Sequence, residues 1–287
     1  MKRLALLLVL AAGLRGGDPP VNRLVFGGDV MLGRYVYLQA RARKDPTWPF
    51  RDVAAMLRDA DIAFVNLESP FAPNPPYFED RMVFRAHPSM VEGLKFAGID
   101  IVSMANNHAR DAGSPGIVFT LETLAKNGIA AAGAALRPED VPKGVVMASK
   151  GVRFGFLAYT YDQRNGNHPS DDARIAVMNE ATLARDVRDL RGRCDAVIVS
   201  MHAGYEYHER PNRRQIRFAR AAIDAGASIV VGHHPHVVQP VEPFQDGVIF
   251  YSLGNLVFDQ PPKKGVRQRA IAEVVFSGSR ILSHKLY

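Results

Sequence analysis

The stretch Ala227–His236 has the sequence ASIVVGHHPH and joins a short apolar run to three histidines. The run is rich in β-branched residues and predicts a buried strand, which ends at the glycine and the proline that follow. Three imidazoles so close together are poorly explained by core packing, because buried histidines need polar partners. His234 and His236 are two positions apart, so an extended segment places both on one side of the chain. The stretch therefore predicts a metal site at the end of a strand.

Four other strand-like runs also end in polar side chains that can bind a cation. These side chains are Asp29, Glu68, Asn107 with His108, and His202. In α/β proteins ligands bind beyond the carboxyl ends of the strands, so we expect all five runs to converge. The predicted metal ligands are Asp29, Glu68, Asn107, His202, His234 and His236. This mixture of carboxylate, amide and imidazole donors suits one or two Mn²⁺, Fe or Zn²⁺ ions better than Ca²⁺ or Mg²⁺.

Helical patterns alternate with the strand-like runs along most of the chain. They cover residues 50–60, 87–98, 115–128, 182–192 and 213–226. The alternation predicts an α/β protein with a largely parallel sheet and helices on both faces. A hairpin is expected around Lys150-Gly151, and the polar segment 162–172 is expected to form a loop near the site.

Three further residues are candidates for catalysis. His108 follows a predicted ligand and is placed to donate a proton to a leaving group, with Asp111 orienting its ring. Arg34 follows the first strand closely and is expected to hold an anion, bidentately if the anion is a phosphate or a carboxylate. Taken singly, the predicted ligands and catalytic residues also fit ordinary structural roles. An aspartate after two glycines, such as Asp29, is typical of a turn, and an Asn-His pair, such as Asn107-His108, is typical of a loop.

Composition and the N-terminus bound the location and the partners. The 287 residues are 47% hydrophobic and 23% charged, which is typical of a globular protein, and the net charge is +7. The charge permits an acidic partner, but no nucleic-acid-binding module is recognisable, and the basic segment 210–220 also fits the solvent face of a helix. Lys2 and Arg3 precede an apolar run and then small residues, which predicts a signal peptide over residues 1–20. We therefore expect an exported protein, either periplasmic or extracellular, and membrane association is compatible with this expectation. The alternatives are an uncleaved anchor and a misassigned start codon.

Across most of the mature chain, the sequence resembles the CapA-type poly-γ-glutamate capsule synthesis proteins. The motifs are GDVMLGR (28–34), NLESP (66–70), FRAHP (84–88), ANNHARDAG (105–113), HAGYEY (202–207), GHHPHVVQPVE (232–242) and YSLGNLVFDQ (251–260). They occur in the order that this family shows. CapA proteins in turn resemble calcineurin-like metallophosphoesterases, which have a two-layer β-sandwich flanked by helices and bind two metals. The resemblance implies that fold for residues 21–287.

The resemblance also implies roles for individual residues. Asp29 takes the position of the first aspartate of the superfamily, His202 that of its lone histidine, and Glu68 that of its bridging aspartate. Two departures bear on activity. Met31 stands where the superfamily has a histidine, so one metal would lack a nitrogen ligand, and Glu68 is not part of the usual G-D-x-x-D motif. Glu206, a typical CapA position, is expected to supply a substitute ligand or a base.

Two functions follow as hypotheses. In the first, the protein is a metal-dependent hydrolase of a phosphoester or a related bond in capsule or poly-γ-glutamate metabolism. In the second, it is a non-catalytic factor that handles or exports the polymer. In both, the expected partners are an anionic substrate, either a phosphoester or polyglutamate, and a membrane-associated capsule synthesis machinery. The ligand set favours the first hypothesis, and the family resemblance favours the second.

Overall fold

A computed structural model describes residues 19–79, 82–260 and 269–287 of the chain. The predicted signal peptide, residues 1–20, lies outside the described residues except for its last two positions. Within these ranges, no helix is both long enough and apolar enough to cross a membrane.

The described residues form six α-helices and thirteen strands. The helices are α1 (Arg34–Ala42), α2 (Ala54–Arg58), α3 (Val91–Phe96), α4 (Gly113–Lys126), α5 (Glu180–Arg191) and α6 (Arg213–Asp224). The first strands are β1 (Val21–Val30), β2 (Ile62–Leu67), β3 (Ile101–Ser103), β4 (Ala130–Ala132), β5 (Val145–Ser149) and β6 (Val152–Thr160). The remaining strands are β7 (Ala196–His202), β8 (Ile229–His233), β9 (Val241–Phe244), β10 (Gly247–Phe250), β11 (Asn255–Val257), β12 (Ala272–Ser277) and β13 (Arg280–Leu286).

The strands form two sheets. In the first sheet the order is β13-β12-β1-β2-β3-β4, and β11 pairs with the end of β1. In the second sheet the order is β5-β6-β7-β8-β10-β9. The central pairs of both sheets are parallel, whereas β12, β13, β5 and β9 pair antiparallel at the edges. Parallel central strands bring their carboxyl ends to the same edge of each sheet, and this geometry gathers the polar strand ends.

The two sheets pack face to face over an apolar core. Phe64 of the first sheet stacks on Phe156 of the second with ring centroids 6.0 Å apart, and Phe154 meets Phe276 at 5.2 Å. Both β2 and β7 are buried along their whole length, because one face of each strand meets the other sheet and the opposite face is covered by helices or loops. Burial on both faces explains why these strands are continuous apolar runs.

The predicted α/β fold, a two-layer sandwich flanked by helices, is confirmed. The simpler interpretation of the alternating pattern, one sheet with helices on both faces, was wrong because the strands divide between two layers. The predicted helix over 50–60 is a short 3-10 turn, Trp48–Phe50, followed by α2. The structure adds α1, β9 and β13, which the sequence patterns did not predict. The hairpin around Lys150-Gly151 is formed by β5 and β6.

Candidate metal centre

Six predicted donors meet between the carboxyl ends of the strands of the two layers. Asp29 lies at the end of β1, Glu68 directly follows β2, and Asn107 follows β3. His202 is the last residue of β7, and the HHPH segment begins at the last residue of β8. All six donor side chains are buried, none with more than 4% of its surface exposed. The sandwich therefore brings together residues that are more than two hundred positions apart in the sequence.

Two glycines let the segments that carry these donors approach other backbone closely. A Cβ atom on Gly28 would lie 1.9 Å from the carbonyl oxygen of Gly254, and one on Gly232 would lie 1.9 Å from that of Tyr251. Both positions therefore require glycine. His234 and His236 themselves have positive φ angles of 96° and 58°. Non-glycine residues rarely adopt this region, and such strain is concentrated at functional sites.

Glu68 lies at the centre of the cluster. Its Oε1 atom is 3.7 Å from Nε2 of His202 and 3.9 Å from Nε2 of His236, and it has no hydrogen-bond partner among the described residues. Burial raises the pKa of Glu68 well above its ordinary value, and the negative charge of Asp29 raises it further. A buried carboxylate oxygen that faces two imidazoles without a hydrogen bond is the environment that a bound cation would satisfy.

Asp29 is held in its charged form by its neighbours. Burial alone would raise the pKa of Asp29, but the contacts of His233 and His236 outweigh burial and hold it well below its usual range. The Nδ1 atoms of both histidines lie 3.4 Å from its carboxylate oxygens. Asn66 donates to Oδ1 at 2.8 Å, and the backbone N–H of His234 donates to Oδ2 at 3.2 Å. Asp29 is therefore oriented on both sides and remains an anion in the protein interior.

Two histidines of the second sheet, His202 and His234, are held neutral. Burial lowers the pKa of His202 well below its ordinary value, and the charge of His234 lowers it further. Burial, and then the charge of His236, lowers the pKa of His234 to about 3. Neutral imidazoles are the form that binds a metal. Nε2 of His202 lies 2.7 Å from Oδ1 of Asn107, so one cation at this position would meet both donors.

The chemistry of the donors fits a divalent cation. Ligand atoms of three overlapping groups lie within 4.8 Å of one another: Glu68 with His202 and His234, Asp29 with Glu68 and His236, and Glu206 with His234 and His236. Glu68 belongs to two of these groups. Mixed carboxylate and imidazole donors at such spacing are typical of sites for Zn²⁺, Mn²⁺ or Fe.

The predicted acid, His108, lies in a rigid polar pocket beside the cluster. Its Nδ1 atom is 2.6 Å from Oδ2 of Asp111, and both side chains are buried. The backbone N–H of Phe84 donates to the same Asp111 oxygen at 2.5 Å, and the Phe84 ring stacks on the imidazole at 3.8 Å. The side-chain amide of Asn165, from the polar loop predicted to lie near the site, approaches Nδ1 of His108 at 3.2 Å. These contacts fix the ring and leave Nε2 to face other groups.

The other two catalytic candidates are Arg34 and Glu206. Arg34 forms an ion pair with Asp259 at 3.3 Å, and its guanidinium carbon lies over the Phe84 ring, 5.2 Å from the ring centroid. The structure therefore does not bring Arg34 into the donor groups. Glu206 is half-buried, joins His234 and His236 in one donor group, and lines a cavity that opens beside them.

Several residues of the site were not among the predicted ones. Asn66 donates to Asp29, and Asn106 donates to Asn66 at 3.2 Å. Asn255 contacts Nδ1 of His236 at 2.9 Å. Asn66 precedes Glu68 by two positions, so the period of a strand places both side chains on the same face, and this spacing could have revealed it. The side chain of His233 is fully buried, and neither of its ring nitrogens has a well-formed hydrogen bond among the residues that the structure describes.

Met31 confirms one departure from the superfamily pattern. It is fully buried, and its sulfur accepts from the backbone N–H of Gly33 at 3.2 Å. An imidazole nitrogen of the second sheet, Nδ1 of His233 at the end of β8, lies 3.4 Å from Oδ1 of Asp29. The first sheet therefore contributes oxygen donors to the cluster, and its nitrogens come from the second sheet.

The two-layer sandwich resembles the fold of solved nucleotidase structures. One similar solved structure is the NAD nucleotidase (NadN) of Haemophilus influenzae, with a TM-score of 0.53 and 11% sequence identity. The similarity covers 94% of this chain and 50% of that chain, and at this identity it concerns the fold.

The family model described as bacterial capsule synthesis protein PGA_cap matches residues 23–260, and the chain belongs to this family. The capsule biosynthesis protein CapA of Bacillus anthracis is 34% identical over 81% of this chain and 59% of its own length. The PGA biosynthesis protein CapA of Bacillus subtilis (strain 168) is 34% identical over 82% of this chain and 63% of its own length. The resemblance to CapA-type proteins is therefore confirmed. The chain spans less than two thirds of the length of these two relatives.

Proposed function

We propose that this protein is a metal-dependent hydrolase of a phosphoester or a related bond, acting outside the cytoplasm in poly-γ-glutamate capsule metabolism. One observation carries the proposal: Glu68 is shared by two donor groups, one with His202 and His234 and one with Asp29 and His236. A shared carboxylate between two such groups is the arrangement that holds two cations side by side. The names of the CapA relatives supply the link to capsule and PGA biosynthesis.

The residues of the two sheets would divide the work of holding the metal. Asp29, Glu68 and His236 would hold one cation, and Glu68, Asn107, His202 and His234 would hold the other. When bound, a divalent cation of this kind activates water as a nucleophile and neutralises charge on phosphoryl oxygens. Asn66 and Asn255 orient Asp29 and His236 from behind, which is the usual role of groups that hydrogen-bond to metal ligands.

His108 is placed to act on the leaving group. Its Nδ1 atom faces the Asp111 carboxylate, which favours the tautomer with the proton on Nδ1. The other ring nitrogen, Nε2, is then the atom that exchanges a proton with the substrate. Stacking on Phe84 prevents the ring from turning away. Asp111 acts as a positioning residue, because it contacts His108 and the Phe84 backbone rather than the donor groups.

A second function is favoured by a specific observation. Met31 replaces a nitrogen ligand of the superfamily, and its sulfur already accepts a hydrogen bond from Gly33. If this loss leaves one of the two positions weak, the metal would serve to hold an anionic polymer rather than to break a bond. The protein would then be a polymer-handling or export factor that works with membrane-associated capsule machinery.

Metal analysis of the purified protein, followed by turnover of a chromogenic phosphodiester, distinguishes the two functions. For the hydrolase we expect bound metal and turnover, and we expect His234→Ala to reduce turnover by at least about a hundredfold, as loss of a metal ligand should. His284→Ala is the matched control, because this histidine is exposed on the edge strand β13 and should leave turnover unchanged. Bound metal without turnover, together with binding of polyglutamate, would instead support the polymer-handling function.

A further inference from the structure

A cavity of about 870 Å³ opens directly beside the donor cluster. One side is lined by His234, Glu206 and Tyr161, and the other by the first turns of α6. His234 has only 3% of its surface exposed, and its Nδ1 atom has no hydrogen-bond partner within the described parts of the chain. Because His234 belongs to the donor cluster and also lines the cavity, a ligand in the cavity would lie next to the cluster.

Three arginines line the opposite wall: Arg213, Arg214 and Arg217. All three are exposed. Arg217 faces Glu180 at 3.6 Å, and farther along the same helix Arg220 pairs with Glu242. Arg213 and Arg214 form no ion pair within residues 19–79, 82–260 and 269–287. Two of the guanidinium groups at this wall are therefore available to an anion.

The stability of α6 does not explain these arginines. Arg213 and Arg214 are the first two residues of the helix, whose first turn contains no acidic residue. The helix dipole places partial positive charge at this end, so cations here are unfavourable. The helix end is already capped by the reciprocal hydrogen bonds of Asn212 and Gln215, both at 2.9 Å. A local cost of this kind, next to a candidate active site, favours a role in binding.

We infer that Arg213 and Arg214, with Arg217, form a second anion subsite that selects substrates with more than one negatively charged group. This inference rests on the proposed function, since the first group is the one held at the donor cluster. The substrate would extend from the cluster past His234 toward α6, with a carboxylate or a phosphate at the arginines. Tyr161 adds a neutral hydroxyl, because burial, and then the charge of Asp162, raises its pKa to about 12.

The test is calorimetric binding to the full chain, with and without added Mn²⁺, of four probes. A γ-linked glutamate tetramer and tripolyphosphate each carry several anionic groups, whereas glutamate and orthophosphate are their small counterparts. We expect at least one of the larger probes to bind about tenfold more tightly than its counterpart, because charge-assisted hydrogen bonds to the arginines add to the first contact. Whether the tetramer or tripolyphosphate shows the preference identifies the carboxylate or the phosphate as the natural group.

The decisive variant is the double substitution Arg213→Gln and Arg214→Gln. It should abolish the preference, a loss of about tenfold for the larger probe, while binding of the small probe stays unchanged and the unfolding midpoint does not fall. The matched control is Arg188→Gln with Arg280→Gln, which removes the same charge from exposed arginines on α5 and β13.

Equal affinity for large and small probes in the unmodified protein would overturn the inference. An equal loss in the control variant would also overturn it, since the effect would then come from net charge. The readout is binding and not turnover, so an inactive protein that still shows the arginine-dependent preference would remove the hydrolase function and leave the subsite in place. Turnover of a small phosphodiester by a protein that shows no arginine-dependent preference would remove the subsite and leave the hydrolase function in place.

Discussion

The two layers of the sandwich contribute different chemistry to one pocket. From the first sheet come the oxygen donors Asp29 and Glu68 and the amide of Asn107, whereas the imidazoles of His202 and His236 come from the second. The oxygen donors are held in place by side-chain amides, as Asn66 holds Asp29. Among the imidazoles, His202 lies at a strand end, and His234 and His236 lie on backbone with positive φ angles.

This division shows what each layer does for a cation. Carboxylates supply negative charge, and imidazoles supply the softer ligands that favour Zn²⁺, Mn²⁺ or Fe over Ca²⁺ or Mg²⁺. Two of the three groups with a ligand-like spacing among the described residues combine a carboxylate of the first layer with an imidazole of the second, whereas Glu206, His234 and His236 all follow strands of the second sheet. A metal bound at either of the two mixed groups would therefore cross-link the two sheets.

The largest expected effect is that of Glu68→Gln. Because Glu68 belongs to two donor groups, its substitution should weaken both positions, with metal affinity falling by more than about a hundredfold. Metal content after gel filtration and the metal-dependent rise in the unfolding midpoint measure this effect. Glu122→Gln, an exposed position on α4, is the control. Metal content that remained near that of the unmodified protein would show that Glu68 is not shared.

The next effect separates the two positions. His236→Ala removes the imidazole that faces Asp29, and His202→Ala removes the one that faces Asn107. If two cations bind, each variant should lose about one of them and retain the other, with an affinity loss of at least about tenfold at the affected position. Calorimetric titration with Mn²⁺ gives the stoichiometry. Loss of all binding in both variants would indicate a single cation between the sheets.

The sequence was sufficient to predict the strand ends but not the layers. Runs such as VVGHH end in polar residues, and parallel strands gather their ends at one edge, so convergence of the donors follows from local pattern. Local pattern does not show that β2 belongs to one sheet and β7 to the other, because both strands are buried on two faces and neither alternates between apolar and polar residues. The two-layer architecture was therefore predicted from family resemblance and not from periodicity.

The groups that support the donors were also beyond local pattern. Asn255 reaches His236 from a strand that pairs with β1, a contact set by tertiary packing. Local pattern also missed a partner of Arg34. Its position after GGDVMLG predicts an anion-binding role, and the structure adds an ion pair with Asp259. That carboxylate lies more than two hundred positions away, so no local pattern indicates the pairing.

The pH dependence of the metal-free protein compares the two layers directly. As the pH falls from about 6.5 to 4.5, His202 and His234 become protonated in the unfolded chain but stay neutral in the folded protein. The free energy of unfolding therefore falls with the pH. Glu68 acts in the opposite sense, since its raised pKa keeps it protonated in the fold and ionised in the unfolded chain. The net difference is about one proton, which lowers the unfolding free energy by about 1 kcal/mol per pH unit of acidification.

Denaturant unfolding at several pH values, in the presence of a chelator, measures this slope. Glu68→Gln removes the opposing group, so the slope should become about twice as steep. Asp29 adds a further loss only below its ordinary value of 3.8, because its folded pKa is lowered. A free energy of unfolding that did not change from pH 6.5 to 4.5 would mean that His202 and His234 are protonated in the folded protein.

The smallest predicted effect concerns Asn66, which orients the oxygen donor Asp29 of the first sheet. Asn66 donates to Asp29 at 2.8 Å and contacts Nδ1 of His202 at 3.2 Å, so it bridges the two sheets without belonging to a donor group. Asn66→Ala should weaken Mn²⁺ binding by about tenfold with unchanged stoichiometry, because both ligands remain but lose their orientation. Asn22→Ala is a control for loss of a buried amide elsewhere on β1. An affinity that changed equally in both variants would place the effect in the stability of the first sheet. A change confined to Asn66→Ala would show that Asp29 and His202 depend on this side chain to hold their geometry.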